Sequence, residues 1–209
     1  MVVKRHYSSA KREAQARQTR RSILDAAYEL FVATGYAATT IQAIAERAGV
    51  AVQTVYAVFG SKRELLRQLI EATVAGDDES LPITERAEAY AVSAEPDARR
   101  RAELDAALSL SITQRVAPIV RVAAEAAASD PELAVMMEAV KAARRKEMTA
   151  SAKILAGADG LRVSAEEAEA TLYVLYSPQV ADMLMSDYGW SPERYERWLA
   201  RMILEAVIR

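Results

Sequence analysis

The segment from Thr40 to Phe59 constrains the fold more than any other part of the chain. Its apolar residues fall into two short runs at helical spacing, as Ile41 and Ile44 do in the first run. Gly49 separates the runs and can supply the left-handed backbone conformation that commonly ends a helix. The segment therefore predicts two short helices joined by a tight turn. Where this arrangement binds DNA, the second helix lies in the major groove.

The second of these helices has a polar outer face. Its apolar side is fixed inward by Val52, Val55 and Phe59. The positions left facing outward are Gln53, Thr54, Tyr56 and Ala57. A glutamine can pair with the edge of adenine, and Thr or Tyr hydroxyls suit phosphate oxygens. The alternative interpretation is a pair of ordinary packed helices with a polar rim.

Hydroxyl residues mark two helix starts around this segment. Thr39 and Gln42 match a capping box that would open the first helix. Ser61 and Glu64 repeat the pattern after Gly60 and would open a further helix. The segment is therefore predicted to continue directly into another helix.

Basic residues are concentrated at the front of the chain. Residues 1–75 carry 11 basic and 6 acidic side chains, whereas residues 76–209 carry 16 basic and 23 acidic ones, for a net charge of −2. Lys and Arg that neutralise phosphates release counterions, so a basic front favours salt-dependent binding to nucleic acid. Residues 1–16 are predicted to form a flexible basic arm, either as a solvated tail or as one that orders on DNA.

Apolar spacing from Thr19 to Tyr36 predicts a third helix, which would complete a three-helix head over residues 17–75. The sequence TRRSILDAAYELFVATGYAATTIQAIAERAGVAVQTVYAVFGSKRELL then resembles the DNA-binding head of the TetR (tetracycline repressor) family. Three elements carry the resemblance: A-x-x-L-F followed by G-Y, then T-T-I-x-x-I-A-x-x-A-G-V, then T-V-Y-x-x-F-G-S-K-x-x-L-L.

This resemblance implies a homodimeric repressor that binds a palindromic operator in double-stranded DNA through its head and an unidentified small-molecule effector through a larger helical body. The implied DNA contacts are Arg20, Thr39, Thr40, Gln53, Thr54, Tyr56 and Lys62. The sequence departs from the family pattern at two places in the recognition helix. Ala51 stands where the family often has Ser or Thr, so the recognition helix should lack its usual side-chain cap. Ala57 and Val58 replace larger or polar residues, so base contacts should depend on Gln53 and Thr54.

Residues 76–209 are predicted to form a second, entirely helical domain, so the fold class is all-α. The polar run GDDESLPIT at 76–84 is a predicted loop between head and body. Helix starts are predicted at Asp97, Asp130, Ser164 and Ser191. Pro118 and Pro178 fall inside helical patterns, where proline should kink or break the helix.

The last two helices carry apolar stripes that are wider than one core face needs, which predicts a dimer interface formed by a four-helix bundle. The interface residues are predicted to be Leu172, Tyr195, Trp198, Leu199, Met202 and Ile203. The alternative is that these helices only close a monomeric core. A symmetric dimer would place two heads on two half-sites of an imperfect palindrome.

Five apolar or aromatic residues are candidates for the effector pocket: Leu108, Ile112, Met137, Tyr173 and Tyr176. Met and Tyr suit an adaptable, mostly apolar pocket with a few hydrogen-bonding groups. Ordinary core packing is the alternative for each of them.

The composition gives little support for catalysis or for metal binding. The chain has no Cys, so it has no thiol nucleophile, disulfide or Cys-containing zinc cluster. Its one histidine, His6, lies in the basic arm. We expect no enzymatic activity, no catalytic or metal site and no cofactor.

No segment reaches the ~18 uninterrupted apolar residues of a membrane helix, and no apolar run follows the basic N-terminus. We therefore expect a cytoplasmic protein without a membrane partner. A ligand-responsive repressor is favoured. An architectural DNA-binding protein with no ligand response stays open, and an enzyme with an incidental helix-turn-helix is a third class.

Overall fold

The computed structural model describes the backbone of residues 3–76 and 86–209, with side chains from residue 11 onward. Within these ranges the regular elements are helices, which confirms the all-α expectation. The helices are α1 (Val3–Thr34), α2 (Ile41–Ala48), α3 (Val52–Phe59), α4 (Lys62–Ala75), α5 (Ala87–Ala94), α6 (Ala98–Ala127), α7 (Pro131–Ala156), α8 (Ala165–Leu175), α9 (Pro178–Asp182) and α10 (Pro192–Ala206). A π-helical turn, Met183–Asp187, follows α9.

Helix α1 is longer than the sequence pattern predicts. It begins at Val3, whereas the apolar spacing starts near Thr19. Residues 3–16 of the predicted flexible arm therefore have helical backbone, and residues 1 and 2 lie outside the described part. The extra turns contain neither Gly nor Pro and are rich in Ala, Arg, Lys and Gln, which favour helix without an apolar stripe. Most of the predicted loop at 76–84 also lies outside the described residues.

The start of α2 differs by one residue from the predicted capping box. Thr40 is the cap, because its side-chain oxygen accepts a hydrogen bond from the Ala43 amide at 3.0 Å. Thr39 is buried instead, and its hydroxyl donates to the Gly35 carbonyl at 2.8 Å. The box of Thr39 with Gln42 was therefore wrong. The second predicted cap is confirmed at Ser61, which accepts from the Glu64 amide.

The head contains four helices rather than the predicted three, α1 to α4, and it does not have a core of its own. Its buried residues on α1 to α4 belong to the same apolar cluster as residues from the second half of α6 and the first turns of α7. The body residues in this cluster are Val116, Ile119, Val122, Ala123, Leu133, Met136 and Met137. Helix α4 stands between the two groups, with Leu66 and Ile70 enclosed. The head is therefore packed directly on the body.

The two prolines predicted to disturb helices behave differently. Helix α6 continues through Pro118 without a break, although proline removes one backbone hydrogen bond. The neighbours Val116 and Ile119 are buried on each side and hold the helix in place. Pro178, in contrast, begins the separate helix α9, which is capped by Ser177.

A second apolar cluster fills the far end of the body, and it corrects the predicted dimer interface. Leu172, Tyr195, Leu199 and Ile203 are completely buried within this chain. The stripe on α10 faces α6, because its spacing of four residues keeps Tyr195, Leu199 and Ile203 on one side of the helix. These four residues were wrongly assigned to a subunit contact. Trp198 and Met202 are only partly buried.

A buried arginine ties together the helix ends at the same end of the body. Arg101 donates to the carbonyl oxygens of Leu155 at 3.0 Å and Glu95 at 2.8 Å. Its guanidinium also pairs with the Asp159 carboxylate at 2.8 Å. Gly157 lies beside it with φ of +49°, and a Cβ atom there would be 2.7 Å from the guanidinium carbon. The backbone at the C-terminal end of α7 is therefore packed closely against the Arg101 side chain.

Candidate DNA-binding surface and the cavity behind it

Helix α3 presents the polar face predicted for a recognition helix. Its inner side is held by Val55 and Phe59, both buried. Gln53 is exposed, and Tyr56 retains 51% of its accessible surface. Ala51 provides no side-chain cap, as expected from the departure at that position. The face therefore offers an amide and a phenol to a partner, while Thr54 is half-buried between them.

The two threonines before α2 are not equivalent. Thr40 is exposed at the helix start, next to amide groups that are not used within the helix. Thr39 retains only 3% of its surface and bonds within the head, as described above. In this arrangement its hydroxyl cannot reach DNA. Thr39 is therefore corrected from a contact residue to a part of the head's internal framework.

The predicted basic contacts Arg20 and Lys62 are both engaged within the head. Arg20 donates to the side-chain oxygen of Gln68 at 2.6 Å and lies 5.0 Å above the ring of Phe59. Lys62 lies 4.2 Å above the ring of Tyr36, and burial lowers its pKa. Both side chains are half-buried at the edge of the α3–α4 region. They place positive charge next to the exposed face of α3.

A cavity of about 750 Å³ lies between head and body. Its walls come from α4, α6, α7, α8 and the start of α9, and Arg20 of α1 reaches its edge. All five residues predicted from the sequence line it: Leu108, Ile112, Met137, Tyr173 and Tyr176. The volume lies within the usual range of small-molecule pockets. Whether an effector occupies the cavity stays a prediction.

Three polar residues of the cavity wall were missed from the sequence. Asp105, Ser109 and Thr113 lie four residues apart on α6, so they share one side of the helix. All three are buried. The available signal was the interruption of the apolar stripe containing Leu108 and Ile112 by polar residues at regular spacing.

Asp105 is the most unusual of these residues. Burial raises the pKa of its carboxyl group to about 6, although the hydrogen bond from the Tyr176 hydroxyl acts in the opposite direction. The pKa of Tyr176 is raised well above its ordinary value by burial and by the nearby negative charge. Elsewhere in the cavity wall, the Arg144 guanidinium lies 4.1 Å above the ring of Tyr173, and burial lowers the pKa of Arg144.

Comparison with known proteins identifies the head. The family described as bacterial regulatory proteins of the tetR family matches residues 23–69, which run from the second half of α1 into α4. Residues 23–69 therefore form a segment of the tetR-family type. Over 60 residues it is 43% identical to TtgW of Pseudomonas putida, an uncharacterized HTH-type transcriptional regulator. That match covers 29% of this chain and 45% of TtgW, so the chain spans less than half of that relative's length.

Solved structures resemble the fold of almost the whole chain. NalD of Pseudomonas aeruginosa, the secondary repressor of the MexAB-OprM multidrug efflux pump, has a TM-score of 0.64 at 21% identity, covering 93% of this chain and 98% of NalD. A protein of Saccharomonospora viridis, described as a transcriptional regulator and solved in complex with choline, has a TM-score of 0.64 at 18% identity, covering 91% and 97%. At these identities the likeness concerns the fold alone.

Helix α4, in which the family match ends, belongs to both candidate sites. Its N-terminus, at Lys62, adjoins the α3 surface, and its later turns line the cavity through Gln68, Ile70, Glu71 and Val74. Across the described ranges, no cluster of His, Cys, Asp or Glu has the geometry to hold a metal ion. None of the helices described there is long and apolar enough to cross a membrane.

Proposed function

We propose that the protein is a homodimeric transcriptional repressor that binds a palindromic operator and releases it when a small molecule enters the cavity between head and body. The observation that carries the proposal is the position of α4, which joins the exposed recognition helix to the wall of that cavity. A protein of this kind would act on DNA in the cytoplasm.

The DNA-binding part of the proposal is supported by the surface of the head. The exposed Gln53 can pair with a base edge, and Tyr56 can donate to a phosphate oxygen. Thr40 and Lys62 lie at the N-termini of α2 and α4, where free amide groups and the helix dipole favour a phosphate. The positive excess of residues 1–75 adds a salt-dependent attraction that does not depend on sequence.

The ligand-binding part is supported by the cavity and by two neighbours in fold. NalD is a repressor of an efflux pump, and the Saccharomonospora viridis protein holds choline. In the present chain a ligand in the cavity would touch α4 directly. A ligand that prefers one position of α4 shifts the DNA affinity of the head by the same coupling free energy, which is typically about 1–3 kcal/mol.

The dimer is supported by apolar side chains left exposed near α8 and α10. Tyr188 retains 76% of its accessible surface, and Val174 and Met183 are also exposed. The partly buried Trp198 and Met202 belong to the same end of the chain. A contact between two copies would cover such side chains and set the distance between the two heads.

The proposal is tested by selecting binding sites from random DNA and footprinting the result. We expect a short palindrome to be enriched and protected, and its occupancy to fall when a cavity ligand is added. Uniform coating of DNA without sequence preference would contradict the proposal and would indicate an architectural protein.

A further inference from the structure

The cavity contains a buried carboxylate without a counter-charge. Asp105 retains 8% of its surface, and its one hydrogen-bond partner among the residues described is the Tyr176 hydroxyl, which donates to Oδ2. In residues 11–76 and 86–209, no Lys or Arg forms an ion pair with it. A buried carboxylate normally has a cation or several donors beside it, because burial without them is costly.

The basic residues of the cavity wall do not fill this role, because each is engaged elsewhere. Arg67 pairs with Glu64 and Glu71. Lys141 pairs with Glu138 at 2.8 Å. The remaining two are Arg20, bonded to Gln68, and Arg144, stacked on Tyr173. The negative charge of Asp105 is therefore left for something that enters the cavity.

Two further acceptors lie along the same wall. Ser109 and Thr113 are more than nine-tenths buried and line the cavity, one and two helical turns from Asp105. Neither hydroxyl has a side-chain hydrogen-bond partner within the described part of the chain, so both are available to a donor in the cavity. Ser109 lies about 6 Å along α6 from Asp105 and Thr113 about 12 Å, so Ser109 is the hydroxyl nearer to a cation that pairs with Asp105 Oδ1.

Apolar side chains of α6 line the cavity from Asp105 toward the head. From Asp105 to Val116 the wall of α6 extends about 16 Å at 1.5 Å per residue. Leu108, Ile112 and Val116 cover this length, and Ile70 of α4 lies at the head end. A molecule that places a charged group at Asp105 can therefore lay an apolar chain of roughly ten carbons along α6 as far as α4.

We infer that the effector is an amphiphilic cation whose protonated amine pairs with Asp105 and whose apolar body extends along α6 to α4. This inference rests on the proposed function, because it names the chemical class of the ligand for the same cavity. It places the charged end of the ligand far from the DNA-binding head and the apolar end against the helix that the head shares.

The experiment compares three probes with the same ten-carbon chain: decylammonium, 1-decanol and decanoate. Binding to the full-length protein is measured by titration calorimetry at pH 7 below the micellar range. We expect decylammonium to bind at least tenfold more tightly than decanol, and decanoate to bind more weakly than either. Preference for decanoate would place an anion near Arg144 and overturn the inference. Equal binding of all three probes, or no binding of any of them, would also overturn it.

The variant Asp105→Asn keeps the size of the side chain and an acceptor for Tyr176 but removes the charge. It should lose at least tenfold in affinity for decylammonium and stay within about twofold for decanol. Glu147→Gln is the matched control, because Glu147 is the carboxylate on α7 that lines the same cavity. An equal loss in both variants, or a loss only in Glu147→Gln, would overturn the assignment to Asp105. Circular dichroism of each variant checks that it is folded.

Operator binding is measured in parallel, so that the two proposals fail separately. If decylammonium binds through Asp105 and leaves DNA affinity unchanged, the cation site stands and ligand-controlled release is refuted. If DNA is released by decanol or decanoate but not by decylammonium, the repressor stands and the cation inference falls.

Discussion

At the scale of single residues, Asp105 is an ionisable group whose surroundings disfavour its charge. The carboxyl group of Asp105 has a pKa of about 6 in the folded protein, against about 4 in an unfolded chain. A raised carboxyl pKa means that the folded state binds the proton more tightly, so this group stabilises the fold below pH 4. That contribution is lost as the pH rises through 6.

The first prediction follows from this difference. Relative to Asp105→Asn, the wild-type free energy of unfolding should fall by about 2 kcal/mol between pH 4 and pH 7, because each unit of pKa shift corresponds to about 1.4 kcal/mol and the unfolded carboxyl group is already partly ionised at pH 4. Urea unfolding of both proteins across this range measures it. A constant difference at all pH values would show that the carboxyl group titrates normally in the fold.

The second prediction separates the two kinds of DNA contact. Gln53→Ala should reduce discrimination between the selected operator and a mutated one by about 5- to 150-fold, because a base contact contributes about 1–3 kcal/mol to specificity. Tyr56→Ala and Lys62→Ala should instead weaken binding to all sequences and, for Lys62, reduce the salt slope by about one. Filter binding at several salt concentrations measures both.

Lys153→Ala is the control for these measurements, since Lys153 is an exposed lysine on α7, away from α3. It should leave affinity and salt slope unchanged. If Gln53→Ala lowered affinity equally for every sequence, Gln53 would have no role in base recognition.

At the scale of elements, most helix starts were predicted correctly from the sequence. Some residues that were expected to contact DNA or a second subunit are instead buried within the chain. Ser61, Asp130 and Ser164 cap helices as their patterns indicate, because a cap depends on residues three or four apart. The roles of Thr39 and of the α10 stripe were missed for a different reason. Both depend on which neighbouring helix covers the residue, and periodicity alone shows that a face is buried without showing what covers it.

The cavity illustrates the same limit. Leu108, Ile112 and Met137 were found because apolar residues on a predicted inward face are candidates for any internal space. Asp105 and Thr113 were not found, because a polar residue within an apolar stripe is recognised as buried only when the packing around it is known.

The third prediction concerns the end of α7. Gly157→Ala should lower stability by more than Gly160→Ala, although both glycines have positive φ. The added methyl group at 157 would meet the guanidinium of Arg101, whereas the space at 160 is open. We expect Gly160→Ala to cost about 1–2 kcal/mol from backbone strain alone and Gly157→Ala to cost several kcal/mol. Chemical denaturation measures both, and equal losses would show that the Arg101 contacts do not determine the helix end.

At the scale of the whole molecule, the proposed dimer leaves the body core of each subunit intact. The α10 stripe of Tyr195, Leu199 and Ile203 is already used inside the chain, so a subunit contact must come from the outer side chains. Palindromic recognition depends on this contact, because it fixes the separation of the two α3 helices.

The fourth prediction tests that contact. Trp198→Glu or Met202→Glu should convert the dimer to a monomer, because a charge would be desolvated between two apolar surfaces. Operator affinity should fall with it. Sedimentation velocity measures the mass, with Glu193→Gln on the exposed start of α10 as the control. An unchanged mass for both variants would refute the interface at this end of the chain.

The shared apolar cluster has a consequence for how such proteins can be recombined. The segment that matches the TetR family ends within α4, whereas the surface that this head rests on comes from α6 and α7. A chimera that joined this head to a foreign body would set Leu66 and Ile70 against side chains of other shapes. We therefore expect operator specificity to be exchanged between relatives when only the outer-face residues of α3 are transplanted. A graft of the whole head that ends at residue 69, where the family match ends, should fail.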